Sequence, residues 1–177
     1  MERGSPEPLR MSREEFRRWA EGQPDGARYE RVRGEPVAMA PERVVQARLK
    51  ARLWQLLDRA IREEGLGCEA LPDGVTVEVD DDTDCEPDAI VDCGPRLADD
   101  ALAAATPVIV AEILSPGTRG VDTGAKLADY FRVPAVRHYL IVRTDRRSAV
   151  HPRRSEDGTI LTATLSGGTL RLDPSGI

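Results

Sequence analysis

Aromatic side chains make up only 4% of the 177 residues, so the core has to be built from Val, Leu, Ile and Ala. Long apolar runs are missing as well. None approaches the ~20 residues a membrane-spanning helix needs, which excludes that class. Met1-Glu2-Arg3-Gly4 begins no apolar stretch of the secretory kind, so a cytoplasmic protein is expected. Cysteine is sparse: Cys68, Cys85 and Cys93 form neither an even set nor a CxxC pair, and free thiols are expected. Lysine is scarcest of the charged residues. Lys50 and Lys126 stand against 23 arginines.

Charge is plentiful but uneven. The net value is −6, yet residues 68–100 hold 12 carboxylates against Arg96 alone. The flanking segments are mildly basic, so a sequence pI near 5.1 does not exclude a polyanionic substrate. The length suits one domain, expected over 11–177 behind a flexible tail, 1–10.

Local signals are clear in places. Ser12-Arg13-Glu14-Glu15 is a capping box, predicting a helix to about Ala20. Arg28–Val32 and Glu35–Ala40 predict a hairpin turning at Arg33-Gly34. Val45, Leu49, Leu53, Leu57 and Ile61 recur at helical spacing, predicting a long helix over 42–64 with Pro41 at its start and Gly65 at its end. Cys68–Leu71, Val75–Val79 and Ala89–Val91 read as strands, with the acidic tract Asp80–Asp84 as a solvated turn. Val108–Leu114 is the most continuous apolar run and predicts a buried central strand. Asp122 is expected to cap a helix to about Arg132. Strands at His138–Val142 and Ala149–His151 follow, then a polar hairpin around Gly167-Gly168. The order indicates a mixed α/β or α+β domain.

Two carboxylates stand out. Glu112 lies inside the most apolar strand, where an ionised group is costly unless paired, protonated or bound to a cation. Pairing with a nearby arginine is the plain alternative. Asp88 opens another apolar strand after Pro87, where a strand-edge role is the plain alternative. If the two strands are neighbours, ~4.8 Å apart, the pair can share a divalent cation. Lys126 follows in the first turn or so of its helix, a place the helix dipole disfavours for a cation. Its retention in an arginine-biased chain points to a compact charge at that position.

Other chemistries fail on spacing. Gly120–Lys126 misses the P-loop pattern, no GxSxG is present, the cysteines lack zinc-ligand spacing, and Asp80–Asp82 lacks an EF-hand pattern. His138 and His151 are expected to be surface or strand residues.

Tyr29–Pro41, Glu86–Val91, Val110–Arg119 and Asp122–Tyr130, in that order, resemble the Uma-type putative restriction endonuclease family of the PD-(D/E)XK nuclease superfamily. The resemblance covers about Met11 to Val150. It implies a restriction-endonuclease-like core, a mixed β-sheet flanked by helices, with an N-terminal helix and hairpin. It implies Asp88 as the Asp of the PD motif and Glu112 as the acidic residue of E-x-K. Leu114 stands where the lysine would be, and Lys126 matches the migrated lysine. Glu30 matches an acidic residue of the hairpin. Gln46 stands where relatives often carry histidine, and Gly117 where they often carry serine. The implied activity is a Mg²⁺-dependent endodeoxyribonuclease, with Mn²⁺ as substitute. Asp88, Glu112 and the backbone carbonyl of Ile113 would be the metal ligands, and DNA the partner. The alternative is a non-catalytic nucleic-acid-binding or protein-interaction domain on the same fold. A homodimer is also expected, through Phe16 and Trp19 or through Val37 and Met39.

Overall fold

The computed structural model describes residues 9–114, 123–173 and 175–177. The expected N-terminal tail falls almost wholly outside these, as do the Asp122 cap and Gly117. Helix α1 (Arg13–Glu21) starts at the Ser12–Glu15 capping box and stops at Gly22. Strands β1 (Tyr29–Val32) and β2 (Glu35–Ala38) follow. Arg33 and Gly34 both have positive φ, 54° and 79°, which suits a tight turn whose twist matches the hairpin. Helix α2 (Val44–Glu63) begins later than Pro41 predicts. The Gln46 side chain accepts the Arg43 N–H and so marks the true start. Gly65, at φ 64°, ends it as expected.

The remaining strands are β3 (Glu69–Pro72), β4 (Val77–Glu78), β5 (Asp84–Cys85), β6 (Ala89–Asp92), β7 (Pro107–Leu114), β8 (His138–Arg143), β9 (Ser148–Arg154) and β10 (Ile160–Leu165). Helix α3 (Thr123–Tyr130) lies between β7 and β8. Two sheets form where one was expected. One is antiparallel in the order β2-β1-β5-β4, and the other runs β10-β9-β8-β7-β6-β3. Among the named strands only β7 and β8 pair in parallel, with α3 in their connection. The predicted hairpin therefore belongs to the smaller sheet, and the acidic tract is only partly a turn. Asp80 Oδ1 accepts the N–H groups of Asp82 and Thr83, but Asp84 enters β5 and is buried.

The pleat of β7 divides the core. Ile109 and Ala111 pack with Leu57 and Ile61 of α2, whereas Val110 packs with Tyr130 of α3 and Val77 of β4. This alternation puts Glu112 on the α3 side.

Several expectations need correction. Cys68 and Cys93 form a disulfide, because the Glu69↔Asp92 register of β3 and β6 places them opposite one another. Cys85 alone is free, and it is buried. The last hairpin pairs β9 with β10, ahead of Gly167-Gly168. His138 and His151 do lie in strands but are buried, with Nδ1 and Nε2 3.0 Å apart, so neither is a surface residue. Trp19 meets Tyr29 edge-on at 4.8 Å and so packs α1 on the hairpin, with Phe16 stacked near it on the same helix. No helix among the described residues is long and apolar enough to cross a membrane.

Candidate active site

Sequence spacing left open whether the strands of Asp88 and Glu112 are neighbours. They are. Strand β6 pairs with β7 in the register Ala89↔Ala111 and Ile90↔Val110, which brings Asp88, one residue before β6, to the Glu112 end of β7. The Asp88 N–H, just before β6, donates to Ala111 O at 2.9 Å. Both residues are buried, each 7% exposed. Asp88 Oδ2 accepts the Ile113 N–H at 2.5 Å.

A residue's N–H and C=O leave a strand on the same side. The Ile113 carbonyl therefore points toward the β6 edge, where Asp88 sits. Two carboxylates and one carbonyl offer the hard oxygen set that Mg²⁺ accepts, with its remaining positions taken by water or phosphate. Among the described residues, no three Asp, Glu, His or Cys groups are gathered closely enough to hold a metal by themselves. A cation held by these three oxygens alone would have to keep part of its water shell.

Lys126 of α3 completes this end of the sheet. Its Nζ lies 3.0 Å from Glu112 Oε1 and 3.0 Å from Glu30 Oε1. Glu30, on β1, also accepts the Glu86 N–H at 2.8 Å, so the smaller sheet contributes a carboxylate to the larger one's site. The buried partner of Glu112 is a lysine and not the arginine of the plain alternative. Burial pushes the Glu112 carboxyl up to about 7; Lys126 works against this, while Asp88 and Glu30 reinforce it.

Among the described residues Gln46 makes no hydrogen bond to this group; its Oε1 accepts the Arg43 N–H at the start of α2. Two residues that sequence reasoning missed are part of it. The Tyr130 hydroxyl donates to Glu112 Oε1 at 2.7 Å, and Tyr130 stands four residues after Lys126 on one helix face. That spacing was the available signal. Lys50 Nζ lies 2.7 Å from Asp88 Oδ1, and its signal was its rarity, which it shares with Lys126.

This arrangement sits on a nuclease-like fold. The chain resembles the crystal structure of a putative nuclease belonging to DUF820 from Anabaena variabilis ATCC 29413, with a TM-score of 0.71. The match covers 94% of this chain and 91% of that one at 12% identity, a likeness of fold. The chain belongs to the Uma2 family, described as putative restriction endonuclease, whose model matches residues 13–175. No curated protein matches it.

Proposed function

We propose that the protein is a Mg²⁺-dependent endodeoxyribonuclease, with Mn²⁺ able to substitute. The observation that carries this reading is that Asp88, just before β6, and Glu112 of the adjacent β7 lie at one end of the sheet, with Lys126 bridging Glu112 and Glu30. Asp88, Glu112 and the Ile113 carbonyl would hold the cation, which when bound supplies an acidified water and offsets charge on the phosphoryl group.

The chain's own residues do the positioning. Glu30 and Glu112 share the Lys126 ammonium between them, which fixes it at the mouth of the carboxylate pair. From there it orients the attacking water and balances the negative charge that builds on the phosphate. Tyr130 holds Glu112 in place through its hydroxyl. In the overall reaction, water oxygen bonds to phosphorus as one ester P–O bond breaks. The leaving oxygen ends protonated, and the new phosphate monoester ionises.

Asp88→Ala, Glu112→Ala and Lys126→Ala should each abolish Mg²⁺- or Mn²⁺-dependent cutting of duplex DNA while far-UV circular dichroism stays unchanged. Undiminished cutting after all three replacements would overturn the assignment.

Cutting both strands of a duplex needs two sites or two visits, so we also infer a C2 homodimer. The contact would use the half-buried Phe16 and Trp19 of α1 or the hairpin, where Val37 is 46% exposed. Sedimentation at micromolar concentration should show the dimer; a 19.4 kDa species alone would exclude it.

A further inference from the structure

Both oxygens of Asp88 are occupied, but by partners of very different mobility. Oδ2 takes the Ile113 N–H, fixed within β7. Oδ1 takes Lys50 Nζ, at the end of a flexible four-carbon stem. A cation that binds Asp88 therefore gains its oxygen most readily by displacing Lys50.

The ammonium is arranged to be displaced. It is 13% exposed and already shared, touching Glu42 and lying 3.1 Å from Asp73 Oδ2 as well as 2.7 Å from Asp88 Oδ1. When Asp88 is taken, two carboxylates remain to hold it. Burial pulls the lysine's proton affinity down, but its bonds to Asp88, Glu42 and Asp73 outweigh this and keep it a cation. The residue type also fits. A chain with 23 arginines places one of its two lysines here, and a point charge with rotatable donors moves between carboxylates more easily than a rigid guanidinium fork.

We infer that Lys50 is a tethered counter-cation that occupies Asp88 in the metal-free protein and withdraws onto Glu42 and Asp73 when a divalent cation binds. It thereby sets the metal affinity of the site. This rests on the metal reading of Asp88 and Glu112. It adds that Lys50 is a positioning residue whose partners tune affinity in opposite directions.

Mn²⁺ titration by isothermal calorimetry at fixed pH and salt tests the inference without reference to cleavage. Lys50→Gln should bind Mn²⁺ tighter by about tenfold, within the range through which groups around a metal site tune affinity. Glu42→Gln combined with Asp73→Asn should bind it several-fold more weakly, because the ammonium then has no fallback and stays on Asp88. Lys50→Arg should also weaken binding, since a bidentate guanidinium holds Asp88 more firmly. This third variant preserves the charge and covers the case in which Lys50→Gln does not fold. A merely structural Lys50 would lower stability in all three without opposite shifts in affinity. If Asp88→Asn abolishes Mn²⁺ binding but the three variants bind like the parent protein, the Lys50 inference falls and the metal reading stands. If Asp88→Asn and Glu112→Gln bind Mn²⁺ as the parent does, both fall.

Discussion

Glu30 and Arg31 are neighbours on β1 and both are buried, yet the pleat sends them into two ionic clusters of different character. Arg31 is fully enclosed. Its Nε meets Asp84 Oδ2 at 2.7 Å, and Arg13 Nη2 holds the other oxygen at 2.8 Å. Backbone carbonyls of Met11 and Asp81 take more of the guanidinium, and that of Asp80 takes Arg13. This cluster is rich in fixed donors around one carboxylate. On the other side, Glu30 joins Glu112 and Asp88, three carboxylates served by the two flexible lysines. Rigid forks with carbonyl partners make a clasp between α1, the hairpin and β5. Surplus carboxylates with movable amines make a place for incoming positive charge.

The comparison predicts opposite responses to substitution. Arg31→Met should destabilise the protein by about 3 kcal/mol, because it removes one of the two guanidiniums on buried Asp84 and leaves the Met11 and Asp81 carbonyls without their donor. Urea unfolding measures this, and a loss under 1 kcal/mol would show that the clasp is not structural. Glu112→Gln should instead leave stability close to that of the parent, or raise it. Its effect should fall on cleavage, reduced by on the order of 10²–10³, about 3–4 kcal/mol of barrier. Single-turnover rates on a duplex oligonucleotide test it.

Much of the second cluster was legible in the sequence, and little of the first. Glu112 and Asp88 stand out because each interrupts or opens an apolar strand, and a charge in such a place has to be accounted for. Lys126 stands out through rarity. Asp84 does not. It follows Asp80, Asp81 and Asp82 in a tract whose local chemistry is that of a turn, and pairing with β4 on one side and the distant β1 on the other makes it strand. The division into two sheets, and the Cys68–Cys93 bond, depend on strand register, which no local pattern encodes. Pro41 misled for a related reason. Its fixed φ suits a helix start, but the Gln46-to-Arg43 hydrogen bond decides the boundary two residues later.

The surplus of carboxylates also has a pH signature. Glu112 is raised to about 7 in the folded protein by burial, with Asp88 before β6 and Glu30 of β1 adding to the shift and Lys126 and Tyr130 of α3 opposing it. The folded form therefore holds a proton that the unfolded chain releases at its ordinary, lower value. The stability this group contributes is complete below that ordinary value and is lost as pH rises through about 7. With a chelator present, the urea midpoint should fall between about pH 5 and about pH 8, and Glu112→Gln should remove this slope. His151, whose proton affinity is lowered by burial and by Arg153, contributes the opposite slope, which should persist in the variant. A slope unchanged by Glu112→Gln would place the titration elsewhere.

The smallest expected effect comes from Tyr130→Phe. The ring keeps its edge-on contact with Tyr139, at 5.0 Å between centroids, so packing is retained and one hydrogen bond is lost. That bond goes to a carboxylate and counts mainly when Glu112 is ionised. The cost should be about 1–2 kcal/mol above pH 7 and less near pH 5. Because the hydroxyl favours the charged form, its removal should raise the proton affinity of Glu112 further and move the stability slope to higher pH. If the loss were equal at both pH values, Tyr130 would act through packing alone. A loss as large as that of Arg31→Met would mean that this cluster, too, is a structural clasp.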